Sequence, residues 1–218
     1  MVIFYSKIRL FIQLWMITDI QIMKKLLFIA MVAFGLTANA QEEKGGFEKQ
    51  DLYISGTAGY SQVSVGGQDA DDTVFTFSPS VGYFITDNIA LELGVGFGSS
   101  KRNQGLGEVK TNNFDINLGG NYFFTPKKDF SFMVGAGLSY GKISAKQGAV
   151  KGPDYNTFGF VIAPGVNYFI SESFALRASV GALSYENGKA DVSGAKSNSS
   201  FDFNLDFSDI NFGLTYKF

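Results

Sequence analysis

The sequence predicts an all-β fold, an eight-stranded antiparallel up-and-down β-barrel. After residue 50, apolar and polar residues alternate with a period of two, and no comparable helical period appears. The clearest stretch is 201–207, which reads FDFNLDF, as a half-buried strand requires. The phase slips by one residue at Ser208 and Asp209. Because such a slip moves side chains to the other face of a sheet, it predicts a β-bulge near Ser208. Two separate strands joined there are the alternative, although no turn chemistry appears.

The connections between the predicted strands alternate in length, which favours a chain of hairpins. The predicted strands are 51–65, 73–85, 89–99, 111–124, 130–144, 155–170, 174–186 and 200–218. The short connections are 86–88, 125–129 and 171–173, and the long polar ones are 66–72, 100–110, 145–154 and 187–199. An even number of strands predicts that both chain ends lie on the short-turn side.

A short pattern recurs at the ends of three predicted strands. Residues 78–86 read SPSVGYFIT, residues 163–171 read APGVNYFIS, and residues 120–124 repeat the centre of the pattern as GNYFF. Each copy enters a short turn and is followed by an apolar strand. The repeating unit is therefore a β-hairpin, as in a barrel that grows hairpin by hairpin. The alternative is that tyrosines simply cluster near turns.

The first forty residues have the organisation of a secretory signal. A basic region at 23–25 precedes an apolar run at 26–36, and Ala38 and Ala40 form a small-x-small cleavage site. We therefore expect cleavage after Ala40. A membrane anchor is the alternative, but the apolar run is too short to span a bilayer.

The residues before Met23 form a second apolar stretch. We interpret 1–22 as a misassigned N-terminal extension and Met23 as the true start, and a long signal-anchor is the alternative. The predicted domains are a signal region at 1–40 with the signal peptide at 23–40, a periplasmic N-terminal segment at 41–50, and a barrel at 51–218.

The distribution of residue types between the two strand faces predicts a transmembrane barrel. One face carries Phe, Leu, Ile, Val and Tyr, and the other carries mostly Gly, Ser, Asn and Ala. Charged side chains facing lipid are costly. The strands carry few charges, and the five main ones all fall on the small-polar face: Glu92, Asp115, Arg177, Asp202 and Asp206. A soluble lipocalin-like barrel is the alternative, and its outer face would require many Lys and Glu residues.

The chain ends in Tyr216, Lys217 and Phe218, a terminal Phe after alternating aromatics. This ending resembles the C-terminal assembly signal of bacterial outer-membrane proteins. With the signal peptide and four hairpins, the sequence is similar to the small OmpA/OmpX-type, porin-like outer-membrane β-barrel domain family. The resemblance implies a monomer in the outer membrane of a Gram-negative bacterium. Its implied partners are outer-membrane lipids, lipopolysaccharide and the barrel-assembly machinery, with Tyr216 and Phe218 read during assembly.

The composition excludes several classes of chemistry. The chain contains no histidine and no cysteine, so it cannot build a histidine-based triad or a thiolate metal site. Enzymatic outer-membrane barrels depend on a histidine. The net charge of -2 gives no reason to expect nucleic-acid binding. The sequence therefore predicts no catalytic residue, no cofactor and no metal site.

Glu92 and Arg177 form the one constellation that the sequence singles out. Both face the lumen by parity, and both lie a few residues from short turns. We hypothesise an internal ion pair that helps to close the barrel, because a charge in a narrow interior needs a partner or water. Independent solvation in a wet lumen is the alternative.

Two function classes remain open. The first is a non-enzymatic barrel with a role in envelope structure or in surface interactions through its long loops. The second is a narrow porin-like channel for small solutes or ions, with a mild cation preference from its acidic interior.

Overall fold

The structure is a computed structural model that describes residues 45–64, 71–104, 107–181, 183–203 and 210–218. In these ranges every regular element is a β-strand. No helix there is long and apolar enough to cross a membrane. The strands are β1 (Leu52–Ser64), β2 (Asp71–Phe84), β3 (Ile89–Gln104), β4 (Gly107–Phe123), β5 (Phe130–Gln147), β6 (Val150–Lys151), β7 (Tyr155–Phe169), β8 (Phe174–Val180), β9 (Leu183–Ala190), β10 (Asn198–Phe203) and β11 (Ile210–Lys217).

The strands form a closed antiparallel ring. Each strand from β1 to β5 pairs with the next one, and β5 also pairs with β7. β7 pairs with both β8 and β9, which pair in turn with β11 and β10. β11 closes the ring against β1. The predicted eight-stranded barrel is confirmed, with β8 and β9 as its seventh strand and β10 and β11 as its eighth.

The seventh strand is interrupted, although the sequence predicts it as continuous. β7 pairs through Ile162 with Leu183 and through Gly165 with Ser179. Between these two pairs, the seventh strand therefore contains one residue more than β7 does. Pro164 lies at this point and has no N–H to donate to a ladder. An extra residue opposite a proline interrupts regular pairing, as in a β-bulge.

The prediction of long loops is wrong in extent. β3 ends at Gln104 and β4 begins at Gly107, so most of the predicted loop at 100–110 is paired strand. β5 and β6 pair in the same way inside the predicted loop at 145–154. Where both faces of a sheet meet water, the apolar alternation that marks a strand disappears while the backbone pairing continues. The bulge predicted near Ser208 lies outside the described residues.

Large apolar side chains cover the outer face of the barrel. Leu93 and Leu118 lie opposite each other in β3 and β4, and each is 57% exposed. Their neighbours of opposite parity, Glu92 and Asn117, line the lumen. A surface with so many exposed apolar side chains is favourable in lipid rather than in water. The outer face is therefore the lipid-facing surface.

This arrangement predicts that the same substitution has opposite consequences at adjacent positions. Leu118→Arg should lower the free energy of unfolding by about 2–4 kcal/mol, because it places a guanidinium at mid-depth in lipid. Asn117→Arg should cost less than about 1 kcal/mol, because it enters the wet lumen beside Asp115. Urea unfolding in phosphatidylcholine vesicles measures both. Equal costs at the two positions would contradict the assignment of faces.

Candidate functional site in the barrel lumen

The structure brings Glu92 of β3 and Arg177 of β8 together in the lumen. Arg177 Nη1 donates a hydrogen bond to Glu92 Oε2 at 2.8 Å and forms an ion pair with it. The same oxygen accepts the Tyr53 hydroxyl at 2.7 Å and Asn121 Nδ2 at 2.9 Å. The Ser80 hydroxyl donates to Glu92 Oε1 at 2.7 Å. We call these five residues the Glu92 network, which joins β1, β2, β3, β4 and β8 across the lumen.

The guanidinium of Arg177 lies between two aromatic rings. Its Cζ is 5.3 Å from the ring centroid of Tyr53 and 5.8 Å from that of Phe123. The side chain is only 11% exposed, and its Nε and Nη2 atoms have no hydrogen-bond partner among the described residues. Aromatic faces attract a cation, and more strongly where water is excluded. Glu92 and the two rings together therefore balance the charge of Arg177.

Asp115 and Asp202, which the sequence also places on the inner face, are not part of this network. Asp115 accepts a hydrogen bond from Asn117 Nδ2 at 2.6 Å, nearer the loop end. Asp202 lies in β10, paired with Ser184. Asp206 lies outside the described residues. The contact between Glu92 and Arg177 is thus in the structure, whereas its contribution to barrel closure stays a prediction.

Phe47 fills the short-turn end of the lumen. It precedes β1, and its side chain is fully buried. Its ring stacks on Phe84 with centroids 4.6 Å apart, and it contacts Phe169 at 4.8 Å and Phe123 at 5.4 Å. We call Phe84, Phe123 and Phe169 the phenylalanine socket. Tyr53 contacts the same ring at 5.2 Å, so the socket lies directly against the Glu92 network.

The internal sequence repeat builds the socket. Each of its three copies contains consecutive Tyr and Phe residues, and successive side chains of a strand point to opposite faces. Tyr83 and Tyr122 are 43% and 44% exposed on the outer face, while Phe84 and Phe123 are fully buried. In these two copies the repeat therefore places one aromatic ring toward lipid and one toward the lumen.

Two hydrogen bonds donated by backbone N–H groups hold the segment that carries Phe47. The Phe47 N–H donates to the carbonyl of Pro126 at 2.7 Å, and the Gly45 N–H donates to Asp129 Oδ1 at 2.7 Å. Both acceptors lie in the turn between β4 and β5. The segment is thus attached to the rim of the barrel as well as to its interior.

Gly46 lies against the backbone of the turn between β4 and β5. Its carbonyl accepts a hydrogen bond from Lys217 Nζ at 2.7 Å. A Cβ atom at this position would lie 2.6 Å from the carbonyl atoms of Lys127. Real side chains do not make such contacts with backbone, so only glycine fits here.

A cavity of 330 Å³ lies on the loop side of the Glu92 network. Glu92 and Arg177 line it together with small residues from most of the strands, among them Ser55, Gly94 and Gly135. Among the described residues, no three His, Cys, Asp or Glu side chains are grouped as metal ligands would be. The cavity has room for water or a small solute. The larger part of its lining is apolar, and its polar side-chain groups besides those of Glu92 and Arg177 are hydroxyls and amides.

Phe47 is the main feature of the site that the sequence analysis did not identify. It is a single aromatic residue in a polar stretch before the first strand, so periodicity gives it no role. The available signal was indirect. Three inward-facing phenylalanines from the repeat require an apolar partner in the lumen. The GGF sequence at 45–47 supplies a phenylalanine ring, and its two glycines have no side chains to obstruct the approach of the backbone.

The residues of the predicted assembly signal lie at the short-turn end of the seam between β11 and β1. Tyr216 pairs with Ile54 across this seam, and the Phe218 N–H donates to the carbonyl of Leu52 at 3.1 Å. The rings of Tyr216 and Phe218 are 5.2 Å apart, and Phe218 is exposed. Their recognition during assembly stays a prediction. Ala38 and Ala40 of the predicted cleavage site lie outside the described residues.

A polar cluster holds the hairpin of β5 and β6 at the loop end. Asp154 Oδ1 accepts the Ser144 hydroxyl at 2.6 Å. Lys142 Nζ lies 2.9 Å from Asp154 Oδ2, and Lys151 Nζ lies 3.1 Å from Oδ1. The hydrogen bond from Ser144, followed by those from the two lysines, holds the pKa of Asp154 well below its ordinary value.

A ring-closed antiparallel barrel with an apolar exterior and a filled lumen defines an integral membrane protein of the β-barrel class. The chain matches the model of the outer membrane protein beta-barrel domain family over residues 26–218. It therefore belongs to this family of outer-membrane proteins. No curated protein matches the chain significantly.

Several solved structures are similar to the chain at low identity. The N-terminal β-barrel domain of Pseudomonas aeruginosa OprF is 18% identical, with 79% of this chain and 100% of that chain covered and a TM-score of 0.44. Neisserial surface protein A is 20% identical, with 77% and 97% covered and a TM-score of 0.47. Ail, the attachment invasion locus protein of Yersinia pestis, is 16% identical, with 78% and 99% covered and a TM-score of 0.43. The family assignment rests on the family match, since TM-scores below 0.5 are too low to support it.

The Glu92 network predicts unequal and non-additive effects of its two charges. Glu92→Gln should lower the free energy of unfolding by about 3–5 kcal/mol, because it leaves a buried cation without a counter-charge. Arg177→Met should cost less, since Tyr53, Asn121 and Ser80 still donate to the carboxylate. The double variant should fall short of the sum by at least about 1 kcal/mol. Urea unfolding of the three variants in vesicles measures this, and additive effects would remove the ion pair as a stabilising interaction.

The Asp154 cluster predicts an acid-resistant loop end. The pKa of the Asp154 carboxyl is lower in the folded protein than in the unfolded chain. Its contribution to stability is therefore complete above the unfolded pKa of about 3.9. This contribution is lost as the pH falls through the lower pKa of the folded protein. The ¹³C shift of this carboxyl should titrate below about 3.9. Ser144→Ala should move the midpoint upward. A midpoint at the ordinary value in the unmodified protein would contradict the cluster.

Proposed function

We propose that this outer-membrane barrel is non-enzymatic and closed, and that it acts in envelope structure or through contacts of its loop-end surface. The observation that carries the proposal is a double barrier in the lumen. Phe47 occupies the phenylalanine socket, and the Glu92 network crosses the lumen directly behind it. A scaffold of this kind presents its outer surfaces while separating the two sides of the membrane.

The absence of histidine and cysteine supports the non-enzymatic part of the proposal. The general base and nucleophile pairs that use these residues cannot be built from this chain. The surfaces that remain are the lipid-facing wall and the extended hairpins of β3 to β6. Outer-membrane lipids, lipopolysaccharide and, during biogenesis, the barrel-assembly machinery are the proposed partners of a monomer exported by its signal peptide.

A narrow porin-like channel is the second candidate. The cavity of 330 Å³ and its lining of small residues favour it, because they leave space in the lumen of the barrel. Conduction would require both the socket and the Glu92 network to open. A mild cation preference would follow from the acidic groups of the lumen.

Single-channel recording in a planar bilayer distinguishes the two candidates. The protein purified from outer membranes should give no reproducible ohmic current. Phe47→Ala should be silent as well, because the Glu92 network is a second barrier in series. A heat-dependent gel shift confirms folding of each sample. A steady current through the unmodified protein, altered in Glu92→Gln, would contradict the closed scaffold and identify the protein as a channel.

A further inference from the structure

Four lysines lie directly opposite one another at the loop end of the barrel. Lys101 of β3 pairs with Lys110 of β4, Lys110 pairs with Lys146 of β5, and Lys146 pairs with Lys151 of β6. All four side chains are exposed. We call these residues the lysine row.

The lysine row lies on the outer face, beyond the apolar zone. Phe97 and Phe114 are paired on this face and are 45% and 43% exposed. Lys101 and Lys110 lie four residues farther along the same strands, and an even spacing keeps the same face. Four residues correspond to about 13 Å along a strand, or about 10 Å along the axis of a barrel with tilted strands. This is the level of the headgroups when the phenylalanines are in the acyl region.

The charge of the row is only partly compensated within the protein. Like charges directly opposite each other in a sheet are destabilising. Glu108 lies 3.3 Å from Lys110, and Asp154 lies 3.1 Å from Lys151. The two other members of the row have no carboxylate within ion-pair distance among the described residues. Exposed ion pairs are weak, so the row remains a cationic surface.

In the part of the chain that the structure describes, the strand lysines at the loop end lie along one arc of the barrel, from β3 to β9. Lys142 and Lys189 both pair with Asn156 of β7 on the same face. Lys142 lies four residues nearer the short turns than Lys146, opposite Phe114. In the other direction the ladder continues from Lys101 to Thr73. It then reaches Gln62, a neutral residue of β1. The cations therefore form a patch rather than an even ring.

We propose that the lysine row binds the phosphate groups of anionic lipids in the leaflet at the loop end. Opposed ammonium groups at headgroup height need anions from outside the chain, and membrane-bound phosphates are held at this height by their acyl chains. Each lysine near a charged membrane surface contributes to such binding. The inference deepens the proposed envelope role and rests on the proposed orientation of the loop end outward. It does not depend on whether the lumen conducts.

Native mass spectrometry of the protein purified from outer membranes tests the proposal, with diphosphorylated lipid A and its dephosphorylated form as probes. The unmodified protein should retain the diphosphorylated lipid. The variant K101Q/K110Q/K146Q should bind this lipid at least about tenfold more weakly than the unmodified protein does. The matched control K49Q/K127Q/K128Q removes three charges near the short turns and should bind as the unmodified protein does.

Two further readouts keep the result interpretable. Binding to the lysine row should weaken as salt is raised, because exposed charges are screened. The row variant should still show the heat-dependent gel shift, since the substitution removes repulsion between paired strands. Equal loss in both triple variants, or equal retention of the two lipids by the unmodified protein, would overturn the proposal and leave the lysines as a solvated surface. Either result would leave the conductance test of the closed lumen unaffected.

Discussion

A ring of eight strands encloses a lumen too narrow to be left unfilled, and the filling of this lumen determines most other features of the structure. Ring closure is required because unpaired backbone groups are not tolerated in lipid. Closure then divides every strand into lipid-facing and lumen-facing positions. The outer positions are satisfied by large apolar side chains. The inner positions must be filled by side chains, by water or by another segment of the chain, and this barrel uses different solutions at different heights.

The two blocking layers of the lumen are physically coupled. Phe123 contacts both Phe47 and the guanidinium of Arg177, and Tyr53 contacts Phe47 while donating to Glu92. The apolar layer limits the access of water to the ion pair from the short-turn side. In return, the polar layer gives the buried Tyr53 hydroxyl an acceptor. A segment that precedes the first strand thus completes the interior of a barrel formed by the later ones.

Much of the architecture could be predicted because the period of two is a direct consequence of strand geometry. The same parity placed Glu92 and Arg177 on one face, and the structure brings them into contact. Three features were beyond this reasoning. The hairpin strands beyond the apolar zone have polar surroundings on both faces and lose their periodic signal. The break opposite Pro164 depends on pairing register, which a single strand does not reveal. The insertion of Phe47 is a tertiary contact of a segment that has no period at all.

The central claim is that Phe47 occupies the phenylalanine socket and closes the short-turn end of the lumen. Nuclear Overhauser effects between the ring protons of Phe47 and Phe84, in the folded protein in detergent micelles, test this contact directly. The account predicts strong cross-peaks between the two rings and a slowly exchanging Phe47 amide, since this N–H donates to Pro126. Random-coil shifts for residues 45–48 and no contact with Phe84 would contradict it.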